Sequence, residues 1–372
     1  MANVKSTGRS QSAGSGDWRG PQEGDPKPVI YFGGRASGSL LPPEGAAEWV
    51  GQRPEDPKPI VYFSGIRSFK GYGGEEALHT ATGWQHRCFS YAYVGEGSEQ
   101  YMKQSFEAMR YCLDNEVKVF LDSGAFSFFN TLAKLGRDEK YIRKYIRRYA
   151  EWVYQMGPQA FDFYVNFDYI QKCPVIYQVL KDLQELGLRP VPVYHGDSSI
   201  DWFQRYIDEG HKLIGLGTMR TRRVSHREKR RFFDMCFNVA AKHGVALHGF
   251  AVTGQNMFRY PWYSVDSTSW VIAAVNGQII TIDTARKSVV NLHVSVEKGG
   301  ATPRNLMGSA TLDLGEDVMR GLKKDALVRG FKWEDLQQSA YYRAVYNVRR
   351  FMDAATKIDN TKGARNKWQN II

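Results

Sequence analysis

The sequence predicts an α/β protein built as a (β/α)8 barrel of the TIM type, followed by an α-rich C-terminal extension. Eight short apolar runs follow one another from residue 58 onward, and segments with helical periodicity fill most of the gaps between them. Strands that alternate with helices favour a parallel sheet, and eight such units close into a barrel. An open, doubly wound sheet is the alternative, although no GxGxxG motif follows any strand to indicate a dinucleotide site.

The individual elements follow from length and periodicity. The predicted strands are short apolar runs at 59–63, 89–94, 117–121, 161–167, 191–194, 213–216, 245–251 and 263–265. Amphipathic helices are predicted between them at 138–155, 174–186, 200–209 and 226–243. After the barrel, a β-like stretch at 278–283 precedes helical patterns at 312–329 and 333–355.

The chain divides into four predicted regions. A tail at 1–24, rich in Ser, Gly and Gln, is predicted to be disordered. An extension at 25–57 carries a strand motif, Asp-Pro-Lys-Pro followed by apolar residues, that recurs at 56–65. The second copy is predicted to be the first barrel strand, because uninterrupted alternation begins there, and a local duplication explains the first copy. The barrel spans 58–276, and the extension at 277–372 is predicted to close it and to contact nucleic acid.

Composition and charge narrow the class of protein. The chain of 372 residues is 42% hydrophobic and 24% charged, which excludes a collagen, a coiled coil and a fully disordered chain. No apolar run approaches the ~20 residues that span a bilayer, and the N-terminus has no apolar signal segment, so we expect a cytoplasmic protein without membrane contact. A net charge of +11 indicates a polyanionic partner, most often nucleic acid.

The cysteines indicate neither a metal cluster nor a disulfide framework. They stand far apart in the sequence, and no two have the CxxC spacing, at Cys88, Cys112, Cys173 and Cys236. This spacing argues against a zinc site and favours a reducing compartment. The sequence therefore predicts that no metal is bound.

Polar residues stand where the predicted strands run out, which is where barrels carry their chemistry. The set comprises Asp122, Asp168, His195 and Asp266, together with Gly217 after the strand 213–216. An Asp after a strand is often only the N-cap of the next helix. Three such residues after buried strands, together with an imidazole, are better explained by a site at one rim.

This combination suits glycosidic chemistry on a purine. One carboxylate can attack or stabilise the anomeric carbon while another moves protons on the leaving group. A further carboxylate can accept hydrogen bonds from N1–H and N2–H₂ of guanine, and Asp168 is the candidate for this reader. His248, inside the predicted strand 245–251, either joins this site or faces the barrel interior without a role.

The motifs at the strand ends resemble those of the tRNA-guanine transglycosylase superfamily. Residues 122–127, Asp-Ser-Gly-Ala-Phe-Ser, are similar to that family's Asp-Ser-Gly-Gly-aromatic-Gln signature. Residues 165–168 resemble the family's base-recognising Asp segment, and residues 194–196 occupy the position of its Gln-Gly motif. Residues 214–218 resemble its Gly-Gly-Leu turn, and residues 265–267 resemble the segment that carries its nucleophile. The five motifs occur in the family's order over residues 58–275.

The departures from the family point to one branch of it. Nothing matches the three Cys and one His that hold structural zinc in the tRNA enzymes, and Ser127 and His195 replace two Gln. No tRNA-docking accessory domain is evident. The chain therefore looks more like the 7-deazaguanine DNA transglycosylases of phages and bacterial modification clusters, which exchange guanine in DNA for preQ0 or a relative. A phage-encoded chain would act in the host cytoplasm.

The resemblance implies a role for each residue. Asp266 would be the nucleophile at C1′, and Asp122 would be the general acid and base. Asp168 would read the N1/N2 edge, His195 would bond O6 or N7, Phe126 would stack on the purine, and Gly217 would let the backbone approach the base. The remaining predicted base-binding residues are Ser123, Gly196 and His248. The resemblance implies no cofactor, names DNA and a 7-deazaguanine as partners, and leaves the oligomeric state open.

Three basic clusters are candidates for contacts with the nucleic-acid backbone, although a solvated surface is the simpler explanation for a basic helix face. The densest follows Gly217 and comprises Arg220, Arg222, Arg223, Arg227, Lys229, Arg230 and Arg231. The second is spaced along one helix face and comprises Lys140, Arg143, Lys144, Arg147 and Arg148. The third lies in the extension and comprises Arg343, Arg349, Arg350, Lys357, Lys362, Arg365 and Lys367.

Three other functions fit parts of the pattern. A tRNA-guanine transglycosylase without zinc would share the site and differ in its substrate. A barrel glycosidase acting on nucleosides or sugars would release free sugar and would have no need of the positive charge. A non-catalytic nucleic-acid binder on a decayed barrel would keep the charge and lose the exchange reaction.

Overall fold

A computed structural model describes residues 31–32, 35–36, 59–65, 68–96, 98–128, 139–168, 173–217, 224–284, 286–295 and 315–358. The tail at 1–24 lies outside the described residues. Most of the first copy of the repeated motif does so too. Its described part is the two-residue strand Tyr31–Phe32, which pairs antiparallel with Arg35–Ala36.

Eight parallel strands form the central sheet and close into a barrel. They are β1 (Ile60–Ser64), β2 (His86–Ser90), β3 (Lys118–Asp122), β4 (Phe163–Tyr164), β5 (Val193–His195), β6 (Leu213–Gly217), β7 (Ala246–Gly249) and β8 (Ser264–Ser267). The strand order is β4-β3-β2-β1-β8-β7-β6-β5. Val165 and Val191, which flank the two end strands, form a parallel bridge, and the Val191 N–H donates to the Tyr164 carbonyl. The predicted TIM-type barrel is confirmed.

Helices lie between successive barrel strands, and one more barrel helix comes after the last strand. The barrel helices are α1 (Glu75–Thr82), α2 (Tyr91–Val94), α3 (Glu99–Asp114), α4 (Glu139–Met156), α5 (Cys173–Glu185), α6 (Ile200–Asp208), α7 (His226–Lys242) and α8 (Ser269–Val275). Residues 125–128 form an additional helical turn after β3. Among the described residues, none of the helices combines the length and the apolar character needed to cross a bilayer.

Side chains alternate along the strands between the barrel interior and the layer between barrel and helices. The same alternation places polar residues at the barrel mouth. Ile60 and Tyr62 of β1 face the interior, where the Tyr62 ring lies 5.6 Å from the Phe120 ring, while Val61 and Phe63 pack outward against the helices. Because side chains alternate between the two faces of a strand, the next inward-facing residue after Tyr62 is Ser64, and the next after Phe120 is Asp122. The pleat therefore carries both side chains to the carboxyl end of the barrel.

Two strands were predicted with boundaries that differ clearly from those in the structure. The apolar run at 89–94 is not a strand throughout, because β2 ends at Ser90 and Tyr91–Val94 is helical. Tyr91 is buried, and its ring packs on Tyr145 and Tyr149 of α4. The end of a buried strand and a buried helical turn can have the same apolar content, so a run of apolar residues does not show which of the two it forms. The ordered strand in 161–167 is likewise only Phe163–Tyr164, extended by the Val165 bridge.

The C-terminal extension packs on the outside of the barrel. It contains an antiparallel hairpin, β9 (Gln278–Asp283) and β10 (Ser288–His293), followed by α9 (Glu316–Val328), α10 (Trp333–Gln338) and α11 (Ala340–Lys357). The Asn347 side chain of α11 donates to the Trp270 carbonyl in α8 and accepts from the Ile280 N–H in β9. On the α1 side, Arg349 donates to the Ala81 carbonyl. The extension therefore joins the helical layer between α8 and α1.

The nucleic-acid role predicted for the arginines of this extension is not supported. Arg343 is 2% exposed and donates to the carbonyls of Ala274, Leu336 and Gln337. Arg349 and Arg350 also donate to backbone carbonyls, and Arg350 pairs with Asp325. These three guanidinium groups satisfy backbone acceptors of the extension and of the barrel helices α1 and α8. Lys357 is exposed, and Lys362, Arg365 and Lys367 lie outside the described residues.

Candidate active site

A cavity of about 870 Å³ opens at the carboxyl ends of the barrel strands. Six of the residues singled out from the sequence line it: Asp122, Phe126, Asp168, His195, Gly217 and Asp266. The volume lies in the range typical of small-molecule sites. The structure thus brings the three carboxylates and the imidazole of the sequence prediction into one pocket.

Asp266 of β8 is held by hydrogen bonds to both carboxylate oxygens. Ser64 Oγ donates to Oδ2 over 2.8 Å, and the Ala251 N–H donates to Oδ1 over 3.0 Å. Ala251 has a φ of 55°, a left-handed conformation that is unusual for a residue other than glycine. Such strained backbone at a site is retained when it positions a group, here an N–H aimed at the carboxylate. Asp266 is therefore fixed in orientation while it faces the cavity.

Asp122 is the last residue of β3 and has an unusual proton affinity. The Gly124 N–H donates to its Oδ2 over 3.1 Å. Burial raises the pKa of Asp122 to about 7, and the negative charges of Asp168 and Asp266 add to that increase. A carboxyl group with this pKa exists in both protonation states near neutral pH, as a general acid and base requires.

Asp168, His195 and Ser123 form a hydrogen-bonded group beside Asp122 at the barrel mouth. His195 Nε2 lies 3.1 Å from Asp168 Oδ2, and Ser123 Oγ donates to Asp168 Oδ1 over 3.2 Å. A carboxylate has about four lone-pair sites, so these two contacts leave acceptor capacity for a ligand. The arrangement fixes the rotamer of Asp168.

The structure gives a different reason for glycine at position 217 from the one that the sequence suggested. Gly217 is the cross-strand partner of His195, and a Cβ added to it would lie 2.2 Å from His195 Nδ1. The imidazole occupies the space that a side chain at Gly217 would need. Gly217 also lines the cavity, so the expected close approach of a base to this backbone stays a prediction.

Three residues predicted to bind the base do not line the cavity. Ser123 is fully buried behind Asp168, and Gly196 lies in the turn after β5. His248 is 0% exposed, its Nδ1 lies 2.8 Å from Ser264 Oγ, and its Nε2 lies 3.6 Å from Asp266 Oδ1. The direct base contact expected of His248 is wrong, because it belongs to a deeper layer of the barrel.

Sequence reasoning missed several residues of the cavity wall. Ser64, Cys88 and Phe250 line it, as do Tyr93, Tyr101 and Tyr141 at its outer edge. The alternation of strand residues could have found two of them, since Ser64 follows Tyr62 by two positions and Phe250 follows His248 by two. The three tyrosines lie in helices that come after barrel strands. The sequence pattern gave no reason to place their side chains at the cavity.

Cys88 could be considered as a rival nucleophile in this cavity. Burial raises its pKa well above the ordinary value for a thiol, and the charges of Asp266 and Asp122 raise it further. The thiolate is the reactive form of cysteine, and this environment opposes it. The reactive thiolate form of Cys88 is therefore disfavoured in this cavity.

The two basic clusters of the barrel are described in part. Arg220, Arg222 and Arg223 lie outside the described residues. The rest of that cluster lies in the first turns of α7, where Arg227 and Arg231 are exposed and Lys229 and Arg230 are half-buried. A capping box between Ser225 and Glu228 fixes the start of this helix.

The cluster on α4 occupies the outer face of that helix. Lys144 and Arg147 are exposed and Arg143 is half-buried, while nothing is described of the Lys140 side chain. Arg147 pairs with Glu151 over 2.9 Å, and Arg148 pairs with Glu96 over 2.8 Å. Because Glu96 lines the cavity, this face of α4 reaches the cavity rim.

Within the part of the chain that the structure describes, no three His, Cys, Asp or Glu side chains are grouped so that they could hold a metal ion. Neither a protein-family model nor a curated protein matches the chain. Among solved structures, the chain is similar to the tryptophan synthase alpha chain from Legionella pneumophila subsp. pneumophila. The identity is 8% over 82% of this chain and 94% of that chain, with a TM-score of 0.41.

Proposed function

We propose that the protein is a DNA-guanine transglycosylase, which exchanges guanine in DNA for a 7-deazaguanine base, preQ0 or a derivative. The proposal rests on two carboxyl groups that line one cavity and differ in their surroundings. Asp266 has both oxygens oriented by hydrogen bonds, as a nucleophile needs, and Asp122 has a pKa of about 7, as a proton carrier needs. Environments that separate two carboxylates in this way assign them different roles.

The first half of the exchange breaks the bond to guanine. A carboxylate oxygen of Asp266 attacks C1′ of the target nucleotide, the C1′–N9 bond breaks, and its electron pair moves to the guanine. Protonated Asp122 gives its proton to the departing base. The products are free guanine, a deoxyribosyl ester on Asp266 and an ionised Asp122.

The second half reverses these steps with a different base. The 7-deazaguanine enters the cavity, and ionised Asp122 takes the proton from its N9. The N9 electron pair then attacks C1′, and the Asp266 carboxylate leaves. Both carboxyl groups return to their starting states, so the cycle consumes neither ATP nor a redox equivalent.

Asp168 is the proposed reader of the base, and His195 positions it, because His195 Nε2 lies 3.1 Å from Asp168 and His195 Nδ1 is buried. Asp168 accepts from N1–H and N2–H₂, which guanine and 7-deazaguanines share, and the bonds from His195 and Ser123 keep its oxygens oriented. Phe126 at the cavity wall supplies an apolar ring for stacking. Recognition of the shared edge is what a reversible exchange of related bases requires.

DNA as the second substrate fits the charge of the chain. The net charge is +11, and the exposed basic residues of α4 and α7 offer phosphate contacts that do not depend on sequence. A base buried in a duplex has to be flipped out before it reaches such a cavity, at a cost of about a few kcal/mol.

An exchange assay with three acceptors tests the proposal. The protein is incubated with radiolabelled guanine and with duplex DNA, single-stranded DNA or tRNA, and incorporation is measured. We expect label in DNA with the unmodified protein and none with Asp266→Asn, which should still bind DNA. Label only in tRNA would identify a tRNA transglycosylase, abasic sites without incorporation a hydrolytic glycosidase, and binding without incorporation a non-catalytic protein.

A further inference from the structure

Exposed aromatic side chains are concentrated at one wall of the cavity. Across the described residues, five aromatic side chains are exposed, and four of them line this cavity: Tyr93, Tyr101, Phe126 and Tyr141. The fifth, Tyr72, lies elsewhere and stacks on Tyr341. Exposed large apolar side chains scattered singly need no explanation, but a cluster at the edge of a site indicates a binding surface.

The tyrosines extend outward from the carboxylates along the helices that follow β2 and β3. Tyr93 of α2 and Tyr101 of α3 have ring centroids 5.4 Å apart and an edge-to-face orientation. Ser127 Oγ donates to the Tyr93 hydroxyl over 3.2 Å, which links the pair to the turn that carries Phe126. Tyr141, at the start of α4, is 55% exposed. We call Tyr93, Tyr101 and Tyr141 the tyrosine wall.

Positive charge continues from the tyrosine wall along α4. Lys144 and Arg148 follow Tyr141 by three and seven positions and therefore share its face of the helix. Lys144 is exposed, and Arg148 pairs with Glu96 at the cavity rim. Aromatic rings beside a basic track are the combination by which proteins bind single-stranded nucleic acid, where bases stack and phosphates meet cations.

We propose that the tyrosine wall stacks the unpaired bases next to the target guanine, so that the protein binds its DNA as a single strand or as a locally melted segment. This inference rests on the function proposed above and adds the form in which the substrate is bound. A lone flipped base would need only the pocket at the carboxylates. Three further exposed rings at the outer edge of the same cavity provide surfaces for neighbouring bases and offer nothing to a paired duplex, whose base faces are already stacked.

Equilibrium binding of fluorescent oligonucleotides tests this inference without any exchange reaction. The probes are a short single strand with one central guanine, the same strand with abasic sites beside that guanine, and the duplex. Stacking on aromatic residues predicts that the unmodified protein binds the intact single strand about 10-fold more tightly than the abasic one. The intact single strand should also bind more tightly than the duplex.

The substitutions separate stacking from charge. Tyr141→Ala and Tyr93→Ala should weaken binding of the intact strand about 5-fold or more and leave the abasic strand unchanged, whereas Tyr141→Phe should bind as the unmodified protein does. Lys144→Gln should weaken both strands equally and lower the slope of log K against log salt by about one unit. Tyr72→Ala is the matched control, because it removes an exposed ring away from the cavity, and it should change neither affinity.

Equal affinity for intact and abasic strands, or unchanged affinity of the tyrosine-wall alanine variants, would overturn the inference. A wall that receives a protein segment instead would give this second result. The exchange assay of the previous section fails or succeeds separately. Stacking without exchange would remove the proposed function and keep the single-strand surface, and exchange without stacking would do the reverse.

Discussion

Ser64 at the end of β1 donates a hydrogen bond of 2.8 Å to Asp266 in the neighbouring β8, so two strands about 200 residues apart in sequence meet at the proposed nucleophile. Tyr62, two positions earlier, is the register partner of Asp266. Trp270 Nε1 donates to the Ser64 carbonyl over 2.7 Å and fixes the backbone there. The nucleophile is therefore oriented by the closure of the barrel between its first and last strands.

Ser64→Ala is expected to slow exchange with little effect on binding of the free base. The bond to a charged carboxylate is worth about 1.5–3 kcal/mol, which corresponds to about 10- to 100-fold in rate if it holds the attacking geometry. The measurement is kcat and KM for guanine incorporation. Ser98→Ala is the control, because Ser98 lines the same cavity without a contact to Asp266. A normal kcat for Ser64→Ala would remove this residue from the mechanism.

The release of guanine should depend on pH through Asp122. This half-reaction needs the protonated carboxyl group, and the raised pKa of about 7 keeps that form populated up to neutral pH. The single-turnover rate of guanine release should therefore be level below pH 7 and should fall about tenfold per pH unit above it. A rate that stays constant from about pH 6 to about pH 9 would contradict the assignment of Asp122 as the acid.

The same carboxyl group should reduce the stability of the fold at neutral and alkaline pH. Its pKa rises from 3.8 to about 7 on folding, so the native state favours the protonated form, and stability is lost as the pH rises from about 4 through about 7. Asp122→Asn keeps the neutral form at every pH. Its free energy of unfolding should exceed that of the unmodified protein by on the order of 4 kcal/mol at pH 8, and the difference should vanish below about pH 4.

Chemical denaturation at several pH values measures this difference. Glu107→Gln on the exposed face of α3 is the control, because its charge lies far from the cavity and pairs weakly with Lys103. It should show no such dependence on pH. A gap between Asp122→Asn and the unmodified protein that is the same at pH 4 and pH 8 would show that burial of the charge is not its cause.

Gly217→Ala should displace His195 and weaken base binding. The added methyl group would lie 2.2 Å from the imidazole, so the ring has to leave its place beside Asp168. We expect KM for the free base to rise about tenfold and the melting temperature to fall. The double variant Gly217→Ala/His195→Ala should recover the melting temperature, because the clashing ring is gone. Gly321→Ala, where a Cβ meets nothing within 4 Å, is the control.

The sequence was sufficient for the fold and for the location of the main site residues. Eight apolar runs specified the barrel, and Asp122 and Asp266 could be placed at its mouth because strand ends of one direction meet at one rim. The layer of a residue along the strand axis was harder to predict. His248 and Phe250 belong to the same strand region, yet only Phe250 reaches the cavity, and this depends on the stagger of strands around the barrel.

Other properties required three-dimensional neighbours. The packing of Gly217 against His195 is a matter of cross-strand register, and the pKa of Asp122 reflects burial and charges from other strands. Arg343 and Arg350 formed a basic cluster in the sequence, but in the structure Arg343 donates to the Ala274 carbonyl in α8 and Arg350 to the Ile282 carbonyl in β9. A guanidinium group suits either a phosphate or a carbonyl oxygen, and only the surroundings decide between them.

A covalent Asp266–deoxyribosyl intermediate is the most direct test of the proposed chemistry. Mass spectrometry of the acid-quenched protein after mixing with guanine-containing DNA should show an adduct of the oligonucleotide minus one guanine base. The adduct should map to the peptide containing Asp266, should be absent in Asp266→Asn, and should disappear when a 7-deazaguanine is added. Base exchange that persists in Asp266→Asn, or an adduct on a different residue, would contradict the mechanism.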